Sequence, residues 1–249
     1  VEEFIMENFT VLNYQGSKNN LSSFIKKNIE PYIQDGKAIL DIFSGSAAVS
    51  NMFRDNYQVY ANDAESYASI IADAILNQAD IDSATELINS LDIEYTTAIK
   101  KHAKPIIDFV KKEQLALDKE SYEQLIALYN LYPTVWNNQY SDITKSELTV
   151  DSIKQTRDFY LFTTYYATNY YGITQALDID CLIKIINLRF PQYRNALLSC
   201  LFYAMKETVF SKDGHMAQPL SLEKNQTRLF LQRKKNVYEL FINCLLYTS

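Results

Sequence analysis

Histidine and cysteine are scarce in this chain. There are two histidines, His102 and His215, and three cysteines, Cys181, Cys200 and Cys244. Their wide spacing offers no metal-ligand pattern, and three separated cysteines make no disulfide framework. A reduced, cytoplasmic protein without a bound metal is the expectation. No apolar run approaches the roughly 18 to 20 residues a membrane helix needs, so no membrane span is expected. Glycine and proline number only five each. With so few glycines, Gly16, Gly36, Gly45, Gly172 and Gly214 should each mark a turn. No internal repeat and no low-complexity tract breaks the pattern.

What is present is a chain of 249 residues, 47% of them apolar, enough for one large or two small cores. Its net charge of −6 argues weakly against a polyanionic partner, but the charge is unevenly placed. Between Lys37 and Ala98 ten acids face two bases, whereas between Lys206 and Lys235 seven bases face three acids. Phosphate contacts need only a local basic face, although a solvated surface accounts for the count equally well.

The segment from Lys37 to Glu65 reads as one α/β unit. Ala38–Phe43 is a buried strand, Ser44-Gly45-Ser46-Ala47-Ala48 a small-residue loop opening a helix to Asp55, and Gln58–Ala61 a second strand that runs into Asp63. Gly45 lets backbone approach a ligand or take positive φ. The helix start offers free N–H groups to an anionic group. Asp63 can accept hydrogen bonds from ribose hydroxyls, since an acid about 20 residues beyond such a loop does this in doubly wound sheets. One glycine where a dinucleotide fingerprint has three serves a pyrophosphate poorly. A carboxylate-bearing nucleoside such as S-adenosylmethionine fits better, with Asp41 facing its amino group. Any strand–loop–helix with a small-residue turn would carry the same pattern without a ligand.

Around this unit the chain is helical. Leu21, Phe24, Ile25, Ile29 and Tyr32 share a helix face, with Asn19 or Asn20 as cap and Pro31 and Gly36 as the stop. Ser66–Leu76 is a helix. From Asn77 to about Phe190 the pattern is almost wholly helical, with one helix from Asp151 through Tyr170 and another starting at Asp178 or Asp180. Phe159, Tyr160, Phe162, Tyr165 and Tyr166 read as core packing, and Asn169 as a cap or turn residue. Residues before Met6 look like upstream sequence, with translation expected to begin at Met6.

Three motifs in order resemble the D12 class of N6-adenine DNA methyltransferases, the Dam-like enzymes. Asn13-Tyr14-Gln15-Gly16-Ser17-Lys18 is similar to their N-terminal motif, Asp41-Ile42-Phe43-Ser44-Gly45-Ser46 to their loop, and Ala61-Asn62-Asp63 to their ribose-binding strand end. Asn169-Tyr170-Tyr171-Gly172 and Ser211–Pro219 resemble stretches of a long-insert subgroup. The resemblance implies a Rossmann-like class I methyltransferase sheet, α/β and incomplete here, with a large, mainly helical insert. It implies S-adenosylmethionine as cofactor, Tyr14 and Lys18 at its methionine end, Phe43 and Gly45 beneath it, Asp63 on the ribose and Asp41 near the amine. Residues 1–76 would form the cofactor part, 77–220 the target-recognition insert and 221–249 a basic return segment. Double-stranded DNA of a bacterial or phage-like host, and a restriction endonuclease companion, are the implied partners.

Two departures matter. Ala47 replaces the second loop glycine, and the catalytic Asp-Pro-Pro-Tyr of the family is absent, since no two of the five prolines are adjacent. That motif holds the adenine amino group and stacks the flipped base. The chain is therefore expected to be a truncated enzyme, inactive alone, with residues from Cys244 onward open to being non-native. Lys212, His215, Gln218, Arg228, Arg233, Lys234 and Lys235 are the expected DNA contacts. The alternatives are a methyltransferase for RNA or a small molecule, and a non-catalytic cofactor- or DNA-binding partner.

Overall fold

The computed structural model describes residues 11–12, 18, 21–34, 36–77, 84–134, 160–215 and 218–248. The first helix, α1 (Ser22–Ile29), ends in a 3-10 turn at Glu30–Tyr32, where Pro31 fits a first-turn position. Gly36 then takes φ +71°, which carries the chain into the first strand. Strand β1 (Ile39–Asp41) lies parallel to β2 (Val59–Ala61), with Ile39 opposite Val59 and Asp41 opposite Ala61. The crossover between them is the helix α2 (Ala48–Phe53). Both strands are shorter than the apolar runs suggest.

The sheet is covered unequally. Val59 is buried and Ile39 and Ala61 are half-buried on the face toward α2 and the helix α3 (Ser66–Leu76). On the opposite face Leu40 and Tyr60 sit side by side at 61% and 57% exposure. Alternate strand residues point to opposite faces, so this pair marks an apolar sheet surface with nothing packed on it among the described residues.

The helical body holds most of the core. Helix α4 (Ala84–His102) is followed by a 3-10 turn at Pro105, then α5 (Ile107–Asp118) and α6 (Tyr122–Leu131). A single π-helical turn at Phe162–Tyr166 precedes α7 (Ile173–Arg189) and α8 (Arg194–Thr208). The chain closes with α9 (Gln226–Arg233) and α10 (Val237–Thr248). Helix α7 is buried almost all round, with Ile173, Leu177, Ile179, Leu182 and Ile186 inside. A smaller cluster of Val11, Ala47, Ile71 and Ala72 lies under the sheet, and Phe202 of α8 packs against both clusters. Asn195 of α8 also donates to Asp73 of α3 at 2.7 Å.

Two expectations do not hold. The helix foreseen from Asp151 through Tyr170 lies outside the described residues up to 159, and beyond that the chain makes one π turn and reverses. Tyr160 and Thr168 take φ +70° and +72°, which no continuous helix allows. The next helix starts at Ile173, not at Asp178 or Asp180. Its first amides are satisfied by a distant acid: Glu113 of α5 accepts from the amides of Ile173 and Thr174 at 2.7 and 2.8 Å. Asp178 and Asp180 lie inside α7 and serve other segments. Cys244 and Leu245 are buried on the inner face of α10.

Candidate functional site

The loop after β1 is built from small residues and left-handed backbone. Gly45 takes φ +52° and Ala47 φ +56°, and Ser44, Gly45 and Ala47 are all buried. A left-handed alanine is strained by its Cβ, so the surrounding contacts must hold it. The amide of Ser44 donates to the carbonyl of Asn62, extending the strand pairing into the loop. The amide of Gly45 donates to Oδ2 of Asp63 at 2.8 Å, and the amide of Glu65 to Oδ1 at 3.0 Å. Those amides hold the Asp63 carboxyl below the usual carboxylate range. Asp63 therefore stays ionised, and each of its oxygens keeps a lone pair for another donor.

Asp41 has a different task. Its Oδ2 accepts from both the amide and the hydroxyl of Ser50, at 3.2 and 2.8 Å. It thus caps the first turn of α2 from the strand before it, a contact typically worth ~1 kcal/mol. The free amides expected at this helix start are in part already used: Asp63 takes that of Gly45 and Asp41 that of Ser50. Phe43 stands at 85% exposure on the loop, and Lys18 is exposed as well. Tyr14 lies outside the described residues. Ser44 Oγ is buried without a hydrogen-bond partner, so the loop itself leaves a polar atom unsatisfied.

The basic C-terminal segment is less open than its charge count suggests. Arg233 is only 4% exposed. Its guanidinium donates to the Tyr129 hydroxyl and to the carbonyls of Thr168, Asn169 and Tyr170, at 2.9 to 3.4 Å. The Tyr129 hydroxyl donates in turn to Glu113 at 2.7 Å. Arg233 is thus an internal buckle, not an accessible cation. Arg228 donates to the Ser211 carbonyl at 2.8 Å. Lys235 reaches the Glu207 carbonyl at 2.7 Å and the Glu207 carboxylate at 3.7 Å, and Lys234 pairs with Glu120. Lys212 and Gln218 remain exposed and His215 half-buried, in a turn closed by a bridge between Ser211 and Pro219. Charge counting in the sequence could not separate Arg233 from Lys212. The spacing of Tyr129 and Glu113 gave no sign that a hydroxyl and a carboxylate wait for that arginine.

Among the described residues no group of three or more His, Cys, Asp or Glu side chains could hold a metal ion. No described helix is long and apolar enough to cross a membrane. The model of the D12 class N6 adenine-specific DNA methyltransferases matches residues 14–244. The chain belongs to that family. One curated relative, the modification methylase LlaI of Lactococcus lactis subsp. lactis, is 24% identical over 103 residues. That match takes in 41% of this chain and 15% of the relative, so the chain spans a small part of that protein's length. No solved structure matches the chain.

Proposed function

We propose that the chain is the cofactor-binding and DNA-recognition part of a site-specific DNA adenine N6-methyltransferase that uses S-adenosylmethionine. The observation that carries the reading is the Asp63 carboxylate fixed at the strand end beside a left-handed, small-residue loop. Its remaining lone pairs accept the two ribose hydroxyls, and Gly45 lets the ligand lie against backbone. Phe43 is exposed where an apolar contact would be made, and Ser44 Oγ has no competing partner. Tyr14 and Lys18 would approach the methionine end. Asp41, with one oxygen committed to Ser50, would offer the other to the amine. When bound, the cofactor supplies an electrophilic methyl group.

The surrounding sheet is read as part of a Rossmann-like methyltransferase sheet, and the helices from α4 to α8 as the insert that meets DNA. Lys212, His215 and Gln218 would make the first contacts with the duplex. Lys234, Lys235 and Arg228 are engaged within the protein and would contribute only by exchanging those partners. Because the sequence contains no Asp-Pro-Pro-Tyr, no residue here grips the adenine amino group, and the chain alone transfers no methyl. A restriction endonuclease as companion fits a modification methylase.

Filter binding with tritium-labelled S-adenosylmethionine and a mixed-sequence duplex tests this reading. The protein should retain the label, and its hold on the duplex should fall steeply with salt. No tritium should enter the DNA. Failure to retain the cofactor would overturn the assignment, and tritiated DNA would overturn the inactivity.

A further inference from the structure

The turn from Tyr160 to Gly172 holds more strain than any other described segment, and three buried charged residues fix it in place. Tyr160 and Thr168 are both left-handed, and a π turn lies between them. Such outliers persist only when their surroundings over-determine them, and they gather at functional sites. At the entry, Asp180 accepts from the amides of Phe162 and Thr163 and from the Thr163 hydroxyl, at 2.9 to 3.0 Å. Along the crest, Arg233 takes three consecutive carbonyls. At the exit, Glu113 caps α7. The side chains this clamp leaves outside are Leu161 at its start, Asn169 and, in part, Tyr166, which is 38% exposed and whose inner side packs on the rings of Phe162 and Tyr170.

The clamped turn also adjoins the turn that carries Lys212 and Asp213, both exposed. The amide of Phe210 donates to the Tyr170 carbonyl at 2.7 Å, and Phe210 in turn accepts from Leu220 at 3.0 Å. One backbone seam therefore joins the Tyr166–Asn169 crest to the Lys212–Gln218 turn. An exposed amide and a partly exposed aromatic ring on a pinned backbone, with an exposed lysine further along the same seam, match base-edge readout flanked by a phosphate contact.

Resting on the proposed function, we infer that the Tyr160–Gly172 turn reads the DNA sequence. The Asn169 amide pairs with the N6 and N7 edge of an adenine in the major groove, and the Tyr166 ring packs on the neighbouring base. Lys212 holds the adjoining phosphate. Rigidity is the reason for the strain, since a base-reading amide discriminates only if its position is fixed.

Selection of bound duplexes from a random-sequence pool tests this on the intact chain. Wild type should enrich a short motif. Asn169→Ala should lose preference at one adenine of that motif by about tenfold, and Tyr166→Ala at the adjacent position, with the salt dependence unchanged. Lys212→Ala should keep the motif and lose about one unit of salt slope. If Asn169→Ala and Tyr166→Ala select the wild-type motif with undiminished stringency, the inference is wrong. It is equally wrong if wild type binds DNA with salt dependence yet enriches nothing, in which case DNA binding itself stands. No duplex binding at all would overturn the DNA part of the proposed function, and the inference with it.

Discussion

The amide of Gly45 donates a hydrogen bond to the carboxylate of Asp63 at 2.8 Å, tying the loop after β1 to the end of β2. One acid thus shapes the loop and joins it to the amide of Glu65. Its charge is protected by backbone amides, which hold its ionisation below the usual range. A group with a depressed folded-state pKa keeps its stabilising charge above its ordinary value, and that contribution is lost only as the pH falls through the depressed one. Cofactor affinity measured by calorimetry should therefore be flat from pH 7 to pH 5, below the titration of the cofactor's own amine. A decline centred on the ordinary carboxylate range or above would assign the ribose contact to another group.

Arg233 and Lys234 are neighbours in sequence with opposite roles. Arg233→Lys keeps a charge but cannot span one hydroxyl and three carbonyls, so buried acceptors lose their donors. A loss of stability on the order of 3 kcal/mol is expected in urea unfolding. Lys234→Ala removes an exposed pair with Glu120 and should cost less than ~1 kcal/mol. Equal effects would contradict the internal placement of Arg233.

Gly172 is required for space, not for backbone conformation. A Cβ there would lie 2.9 Å from Oε1 of Glu113 and 3.1 Å from Cδ of Arg233. Neither neighbour can yield easily, because hydrogen bonds pin both. Gly172→Ala should lower stability by about 1–3 kcal/mol, the usual cost of overpacking, and thermal unfolding monitored by circular dichroism reads it directly.

Asp178 makes stability depend on pH. Burial raises its carboxyl to about 7, the Tyr95 hydroxyl at 2.8 Å partly offsets this, and the nearby charge of Glu113 adds to the rise. A raised carboxyl binds its proton more tightly in the folded state. Its contribution is fully present below the unfolded value near 4 and is lost as pH rises through 7. Asp178→Asn keeps a hydrogen-bond acceptor and removes the titration. The variant's melting temperature should thus gain on wild type as pH rises from 4 to 8. A difference that stays constant with pH would refute the buried-acid assignment.

Much of the fold near the site was legible in the sequence. The small-residue run at Ser44–Ala48, the apolar strand ahead of it and the acid at Asp63 announced a strand–helix–strand unit, because strand propensity and loop sterics are local. The burial expected of Ala38–Phe43 is not met, since Leu40, Ile42 and Phe43 are exposed. Ser66–Leu76 was legible through helical periodicity, and so was a helical face from Tyr122 to Tyr132, where the helix stops at Leu131 and is capped by Ser121. The segment around Tyr160–Gly172 was not. Its aromatic spacing mimics a helix, whereas its conformation is set by Asp180, Arg233 and Glu113, which lie far away in sequence. The role of Asp41 as a cap for Ser50 was hidden for the same reason, since sequence shows a strand-end acid but not the amide it meets.

The most direct test of the central claim, that the Gly45–Asp63 loop is a cofactor site, is titration calorimetry with S-adenosylmethionine on wild type and Asp63→Ala. Saturable one-site binding to wild type and a loss of at least tenfold in Asp63→Ala are expected, with unfolding still cooperative. Equal affinity in the two proteins would contradict the claim.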